Sequence, residues 1–311
     1  LLENNSNSIM ALIIIAGATA TGKSETAVAL AHEMDAEIVN ADSMQLYQGM
    51  DIGTAKLSQE EREGVPHHLI DILKVHQDSS VAQYQELART CIDQLLQANH
   101  PVIVVGGTGL YIKSILDEMN FPDTEPEVRA RIFQEAESIG AEALHRRLFD
   151  LDPAAALAIP SANLRRVVRA LEVIEITGKP YTANLPREGS LRYPKARQFA
   201  LAMDRDSLRV RIDRRVELMW EGGFVEEVKN LVGAGILEGK TARAALGYKQ
   251  ILDFAAGDIS ELEAKEETKR ATRQYARRQE TWFSRDQRIS WLKPDSPRNH
   301  ALKILSMFKD A

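Results

Sequence analysis

The segment GATATGKS at 17–24 follows the apolar run at 11–16 and leads into a helix-like stretch at 23–34. It fills every fixed position of the pattern G-x-x-x-x-G-K-[ST]. A strand that breaks into such a turn and re-enters as a helix curls its backbone N–H groups round a polyphosphate at the helix N-terminus. Gly17, Ala18, Thr19, Ala20, Thr21 and Gly22 supply the turn, Lys23 a point charge and Ser24 a hydroxyl for Mg²⁺. The chain is therefore expected to grip a di- or triphosphate, with Mg²⁺ as cofactor.

Downstream, short apolar runs at 12–16, 37–41 and 102–105 alternate with helical patterns at 23–34 and 81–98. Apolar strands joined by helices make a parallel sheet covered on both faces. The expected class is α/β, a P-loop NTPase-like parallel sheet flanked by helices. From 121 to 196 the pattern is helical and broken by Pro and Gly, which predicts an all-helical insertion domain, with 177–196 as its return linker. The catalytic core is then 11–120 and 197–311. In its second part a strand is expected at 198–203, amphipathic helices at 207–220, 225–232 and 262–283, and a closing strand at 289–292. The last helix opens on a capping box of Ser260 and Glu263. With 311 residues and 44% hydrophobic content there is enough apolar surface for both domains.

Residues 1–10 are polar, lack the basic start of a signal peptide and read as a disordered tail, and the apolar run after them is too short to cross a bilayer. The single cysteine, Cys91, excludes an internal disulfide framework. It falls in a helical pattern and reads as a buried, inert thiol, so a cytoplasmic protein is expected.

Ligands of parallel sheets bind beyond the carboxyl ends of the strands. Those ends are 17–24, 42–45 and 106–111. Asp42 has a bland reading as a turn cap. Facing the phosphate loop across the ligand edge, it is placed to act as a general base toward an attacking atom. The third run ends in Gly106, Gly107 and Thr108, where ATP-driven P-loop proteins carry an Asp for Mg²⁺; an ordinary motor is disfavoured. The two glycines admit a ligand close to the backbone, and Thr108 adds a hydroxyl. Arg215, with Arg211 and Arg214 nearby, can reach a phosphate cluster and neutralise a departing group. His67 and His68 show no metal-ligand spacing and read as satisfying loop hydrogen bonds.

A net charge of −6 excludes a uniformly basic surface. Locally, however, 160–197 holds eight Lys or Arg against three Glu, and 265–288 holds eight against four acids. Lys269, Arg273 and Arg277 are four apart and share a helical face. Both stretches are read as contacts for a polyanion, namely nucleic acid.

GATATGKS at 17, NADSMQLYQGMDIGTAK at 40, VPHHLID at 65, VGGTGLYI at 105, NLRRVVRALEV at 163, GGFVEEV at 222, ALGYKQI at 245 and TRQYARRQETWF at 272 together resemble the bacterial tRNA dimethylallyltransferases. The phosphate loop alone is unspecific; DSMQLY-x-G-MDIGTAK with GGTGLYI is highly specific. GATATGKS departs from the more usual Gly-Pro-Thr-Ala-Ser-Gly-Lys-Thr but keeps a hydroxyl after Lys23. The resemblance implies transfer of a dimethylallyl group from dimethylallyl diphosphate to the exocyclic amine of the adenine 3′ to the anticodon. It implies a catalytic set of Asp42, Arg215, Lys23 and Thr19. It further implies tRNA contacts at Asp42, Ser43, Met44, Gln45 and Thr108, at Arg166, Val167, Val168, Arg169 and Ala170, and at Ala244, Ala245, Leu246, Gly247, Tyr248 and Lys249. The helical insertion would grip the anticodon stem, and a monomer with no membrane partner is expected. From the residues alone, a nucleotide or small-molecule kinase and a nucleotide-switched RNA-binding module stay open. Donor choice and the appearance of a modified adenine separate the three.

Overall fold

A computed structural model describes residues 11–184 and 190–309, so the expected tail at 1–10 and part of the expected linker lie outside the described residues. In chain order the elements are β1 (Leu12–Ala16), α1 (Lys23–Met34), β2 (Glu37–Asn40), β3 (His67–His68), α2 (Val81–Gln97), β4 (Val102–Val105), α3 (Gly109–Leu116), α4 (Pro126–Ile139), α5 (Ala141–Leu151), α6 (Pro153–Ala158), α7 (Leu164–Thr177), β5 (Arg197–Leu201), α8 (Arg205–Glu221), α9 (Phe224–Gly233), α10 (Tyr248–Ala255), α11 (Glu261–Phe283), β6 (Ile289–Leu292) and α12 (Pro297–Lys309).

The six strands form one parallel sheet in the order β3-β2-β4-β1-β5-β6. All five residues of β1 are buried because successive side chains enter two different cores. Leu12, Ile14 and Ala16 pack with Val102, Val104, Ile92 and Ile115, whereas Ile13 and Ile15 pack with Ala27, Leu30, Ile103, Phe199 and Ile304. Pairing in register, Ile14 with Val104 and Val39 with Val104, brings the carboxyl ends of β1, β4 and β2 to one edge. The loops that follow those strands are thereby set side by side.

A separate compact unit, Asp117–Arg192, is helical, against the expected span of 121–196. Its core is Ile132, Ala136, Leu144, Leu148, Val167, Val168, Ala170 and Leu171 with neighbours from α6. The buried Glu172 carboxylate holds this unit together locally: it accepts from Glu125 N–H (3.0 Å) and pairs with Arg129 (2.8 Å) and Arg169 (2.9 Å).

His67 and His68 sit on the edge strand β3 rather than in a loop. His67 Nδ1 meets the Val65 carbonyl at 2.8 Å and His68 Nε2 meets Glu37 at 2.6 Å, so both rings are used locally. Cys91 is half-buried rather than buried, and burial pushes its thiol up, away from the reactive thiolate. No described helix is long and apolar enough to cross a membrane.

Candidate active site

The phosphate loop takes its shape from Gly22, which stands at the start of α1 with φ of 92°. No described side chain caps that helix end, so the N–H groups of its first turn point into the cleft for an anion. Thr21 Oγ1 donates to the Ala18 carbonyl (2.9 Å), and Lys23 Nζ donates to the same oxygen (2.6 Å). Burial, reinforced by the Arg215 guanidinium and opposed by Asp42, brings Lys23 down to about 8. Arg215 reaches across from α8 to donate to Thr19 Oγ1 at 3.3 Å.

Asp42 follows β2 and does two things. One carboxylate oxygen accepts from Met44 N–H (2.9 Å), the turn cap its sequence allows, while its own N–H donates to Asn40 Oδ1 (2.9 Å). The carboxylate also lines the cleft, where burial raises its pKa against the lowering influence of Met44, Lys23 and Gln45. A carboxylate made more basic in this way is a better proton acceptor. Thr108 is tied to the same turn, its Oγ1 accepting from Ser43 N–H (3.2 Å).

Two adjoining compartments open here. The smaller, about 70 Å³, is polar and lined by Thr19, Lys23, Ser24, Asn40, Asp42 and Arg215 among others. The larger, about 340 Å³, is mostly apolar, with Val216, Met219, Phe224, Ala245, Leu246, Tyr248 and Tyr275 in its walls. Thr19, Asp42, Thr54, Ala55 and Arg215 belong to both. The structure thus gathers the phosphate loop, Asp42 and Arg215, all named from sequence, at one junction.

Other residues named from sequence are placed differently. Val167, Val168 and Ala170 are fully buried in the helical unit, because α7 is amphipathic and five consecutive residues cannot share a face. Arg166 is exposed; Arg169 is spent on Glu172 and on the carbonyls of Pro122 and Asp123. At 244–249, Ala244, Ala245, Leu246 and Tyr248 line the larger cavity, with the Tyr248 hydroxyl donating to Glu227 (2.7 Å), while Lys249 pairs with Asp253 (2.5 Å). The expected stripe on α11 is largely internal: Lys269 pairs with Glu217 and Glu266, and Arg273 with Asp213. Its charge count overlooked the acids on α8. The glycine after β4 serves the protein's own packing, since a Cβ on Gly106 would strike the Ala41 carbonyl.

Sequence reading missed three groups. Tyr275 and Gln279, one turn apart on α11, face this junction, and burial with the Asp42 charge pushes Tyr275 up to about 12. Glu227 accepts from Asp51, Ile52 and Gly53 N–H (3.1, 2.7 and 3.3 Å), fixing the loop that carries Thr54 and Ala55. Arg278 lines the larger compartment beside Tyr275. The i, i+4 spacing of Tyr275 and Gln279 was the available signal.

A family model described as IPP transferase matches residues 45–286. The chain belongs to the IPP transferase family. Among its relatives, a tRNA dimethylallyltransferase from Thermobifida fusca is 57% identical over 291 residues, covering 92% of this chain and 91% of that protein. One from Streptomyces avermitilis is 54% identical, covering 90% and 89%. Among solved structures, the tRNA isopentenylpyrophosphate transferase of Bacillus halodurans is 38% identical with a TM-score of 0.71 and 97% coverage of both chains. A eukaryotic dimethylallyltransferase caught acting on tRNA is 26% identical with a TM-score of 0.81, covering 96% of this chain and 78% of that one. The likeness to the Bacillus halodurans structure over 97% of both chains extends across the sheet and the cleft at its edge.

Proposed function

We propose that this chain transfers a dimethylallyl group from dimethylallyl diphosphate to the exocyclic amine of the adenine 3′ to the anticodon in tRNA, releasing diphosphate. The observation that carries the reading is the junction of a small polar compartment with a larger apolar one at Thr19, Asp42 and Arg215. A prenyl diphosphate has the same construction, an anion joined to a short hydrocarbon, with its reacting C1–O bond at the join. The names of relatives that are more than half identical over nine-tenths of this chain support the same substrate pair.

As the C1–O bond breaks, its electron pair leaves with the diphosphate and positive charge develops on the allylic carbon. The α1 amides, Lys23, Thr19 and Arg215 lie where the leaving charge collects, and stabilising it lowers the barrier. The adenine nitrogen forms the new C–N bond and gives its proton to Asp42. Extruding the base costs on the order of a few kcal/mol, least in a loop, which suits an anticodon-loop substrate. Ser43, Met44, Gln45, Thr108 and the 244–246 wall would receive it, and the exposed Arg165 and Arg166 of α7 would hold RNA phosphates.

Ser24 lines the polar compartment, and no cluster of three His, Cys, Asp or Glu exists among the described residues. A lone hydroxyl suits Mg²⁺, which keeps waters and takes substrate phosphate oxygens. Ser24 would hold it, and the bound ion would neutralise charge on the diphosphate. A tRNA substrate fits a cytoplasmic setting.

Incubation with labelled dimethylallyl diphosphate or ATP, followed by mass spectrometry of the tRNA, tests the reading. A dimethylallyl adduct on the adenine beside the anticodon is expected. Consumption of ATP with no adduct would put a kinase in its place.

A further inference from the structure

We infer that Gln279 is a positioning residue that ties the phosphate loop to the Asp42 turn, so that donor and base are held in one register; this rests on the proposed prenyl transfer. Gln279 is 5% exposed and uses both ends of its carboxamide. Its Oε1 accepts from Thr19 N–H at 2.9 Å, and its Nε2 donates to the Gly107 carbonyl at 2.8 Å. Thr19 lies at the junction of the two compartments and carries the hydroxyl that meets Arg215. Gly107 precedes Thr108, whose hydroxyl holds Ser43 N–H, next to Asp42. A single side chain from α11 thus links the loops after β1 and β4, and through Thr108 the turn after β2.

The loop after β4 is shaped for this contact. A Cβ on Gly107 would collide with Gln279 Nε2, so glycine there admits the carboxamide. An apolar residue of similar volume would fill the space equally well but would leave the half-buried Thr19 N–H and the buried Gly107 carbonyl without this partner. Reacting groups held in a near-attack geometry lose about a hundredfold in rate when displaced by about 1 Å. Slack between the loop that holds the leaving diphosphate and the turn that holds the base would therefore appear in turnover more than in binding.

Gln279→Glu gives a test with an internal control, because a protonated glutamate reproduces both hydrogen bonds and an ionised one loses the donor and sets a negative oxygen against the Gly107 carbonyl. Burial and that carbonyl favour the neutral form of the introduced carboxyl against the pull of the Thr19 N–H, so protonation as pH falls restores the bridge. The titratable and charged groups facing the bridge are Tyr275 from its own helix, Lys23 from the phosphate loop, Asp42 after β2 and Arg215 from α8. All four are present in the parent enzyme, so the ratio of variant to parent kcat at each pH isolates residue 279.

That ratio is expected to be about tenfold down at pH 8 and within about threefold of unity at pH 6, with KM for either substrate moving less than kcat. Gln279→Leu should lose about tenfold at every pH with no recovery. A flat Gln279→Glu ratio across the range, or a Gln279→Leu variant as fast as the parent, would overturn the inference. The parent reaction keeps the two ideas apart: a parent that leaves tRNA unprenylated sinks the proposed function, whereas an active parent with a flat ratio sinks only the role of Gln279.

Discussion

Asp42 and Lys23 occupy one cleft and are displaced toward each other, the carboxyl upward by burial and the ammonium down to about 8 by burial and Arg215. The proposed transfer would need Asp42 ionised and Lys23 protonated. Accordingly kcat/KM for the donor should rise as pH climbs through the raised Asp42 pKa and fall as pH passes about 8. Asp42→Asn should abolish the acid limb and lower kcat by about 10²–10⁴, with tRNA binding kept, since the amide retains the size of the side chain and loses only its basicity. Lys23→Arg should remove the alkaline fall, because guanidinium stays charged throughout. Initial-rate profiles from about pH 5 to 9 check all three; an alkaline limb that persists in Lys23→Arg would assign it to another group. Glu227 acts on the same cleft from outside it. Its carboxylate satisfies three amides of the 51–53 loop and the Tyr248 hydroxyl, so Glu227→Ala should cost about 1–3 kcal/mol of stability by denaturant titration and raise the donor KM.

Helices α8 and α11 show how a charge pattern on one element is decided by its neighbour. Lys265 and Lys269 close on Glu217, Lys269 on Glu266 and Arg273 on Asp213, so these cations join two helices. Arg165 and Arg166 on α7 are exposed. Neutralising Lys269 should therefore leave the salt dependence of tRNA binding unchanged, since its charge is already spent on Glu217 and Glu266. Neutralising Arg165 and Arg166 should reduce the slope of log K against log salt by up to about 0.9 for each RNA phosphate that no longer meets a cation. Filter binding at several salt concentrations separates the two outcomes. The same contrast shows what was legible in the chain. The strands β1, β2 and β4, helix α1 and the chemistry at their ends follow from apolar runs and fixed motifs, because those signals are local. Helix α3 was hidden in a glycine-rich loop reading, and β3 was too short to carry a period. The inward turn of Val167 and Val168, the Glu227 clamp and the Gln279 bridge depend on partners far away in sequence, which no local pattern reports.

The described molecule consists of two compact units with separate cores, and every residue of the cleft belongs to the unit that contains the sheet. Melting need not be a single step in such a chain, and a donor that binds the cleft should move only the transition of the sheet unit. A ligand present at a hundredfold its Kd stabilises the native form by about 2.7 kcal/mol. Inorganic diphosphate can use only the polar compartment. On the proposed reading dimethylallyl diphosphate would also place its hydrocarbon in the 340 Å³ chamber, where each buried CH₂ contributes up to about 0.8 kcal/mol before ordering costs. At equal concentrations the prenyl compound should therefore bind at least about tenfold more tightly and raise the melting temperature further. Met219 lines only the apolar chamber. Met219→Trp should fill that space, bring the two shifts together and leave the response to inorganic diphosphate intact. Scanning calorimetry of parent and variant with each ligand reads both effects. Equal shifts for the two ligands in the parent would mean that the apolar chamber is not where the hydrocarbon goes, and the junction at Thr19, Asp42 and Arg215 would lose its claim to the reacting bond.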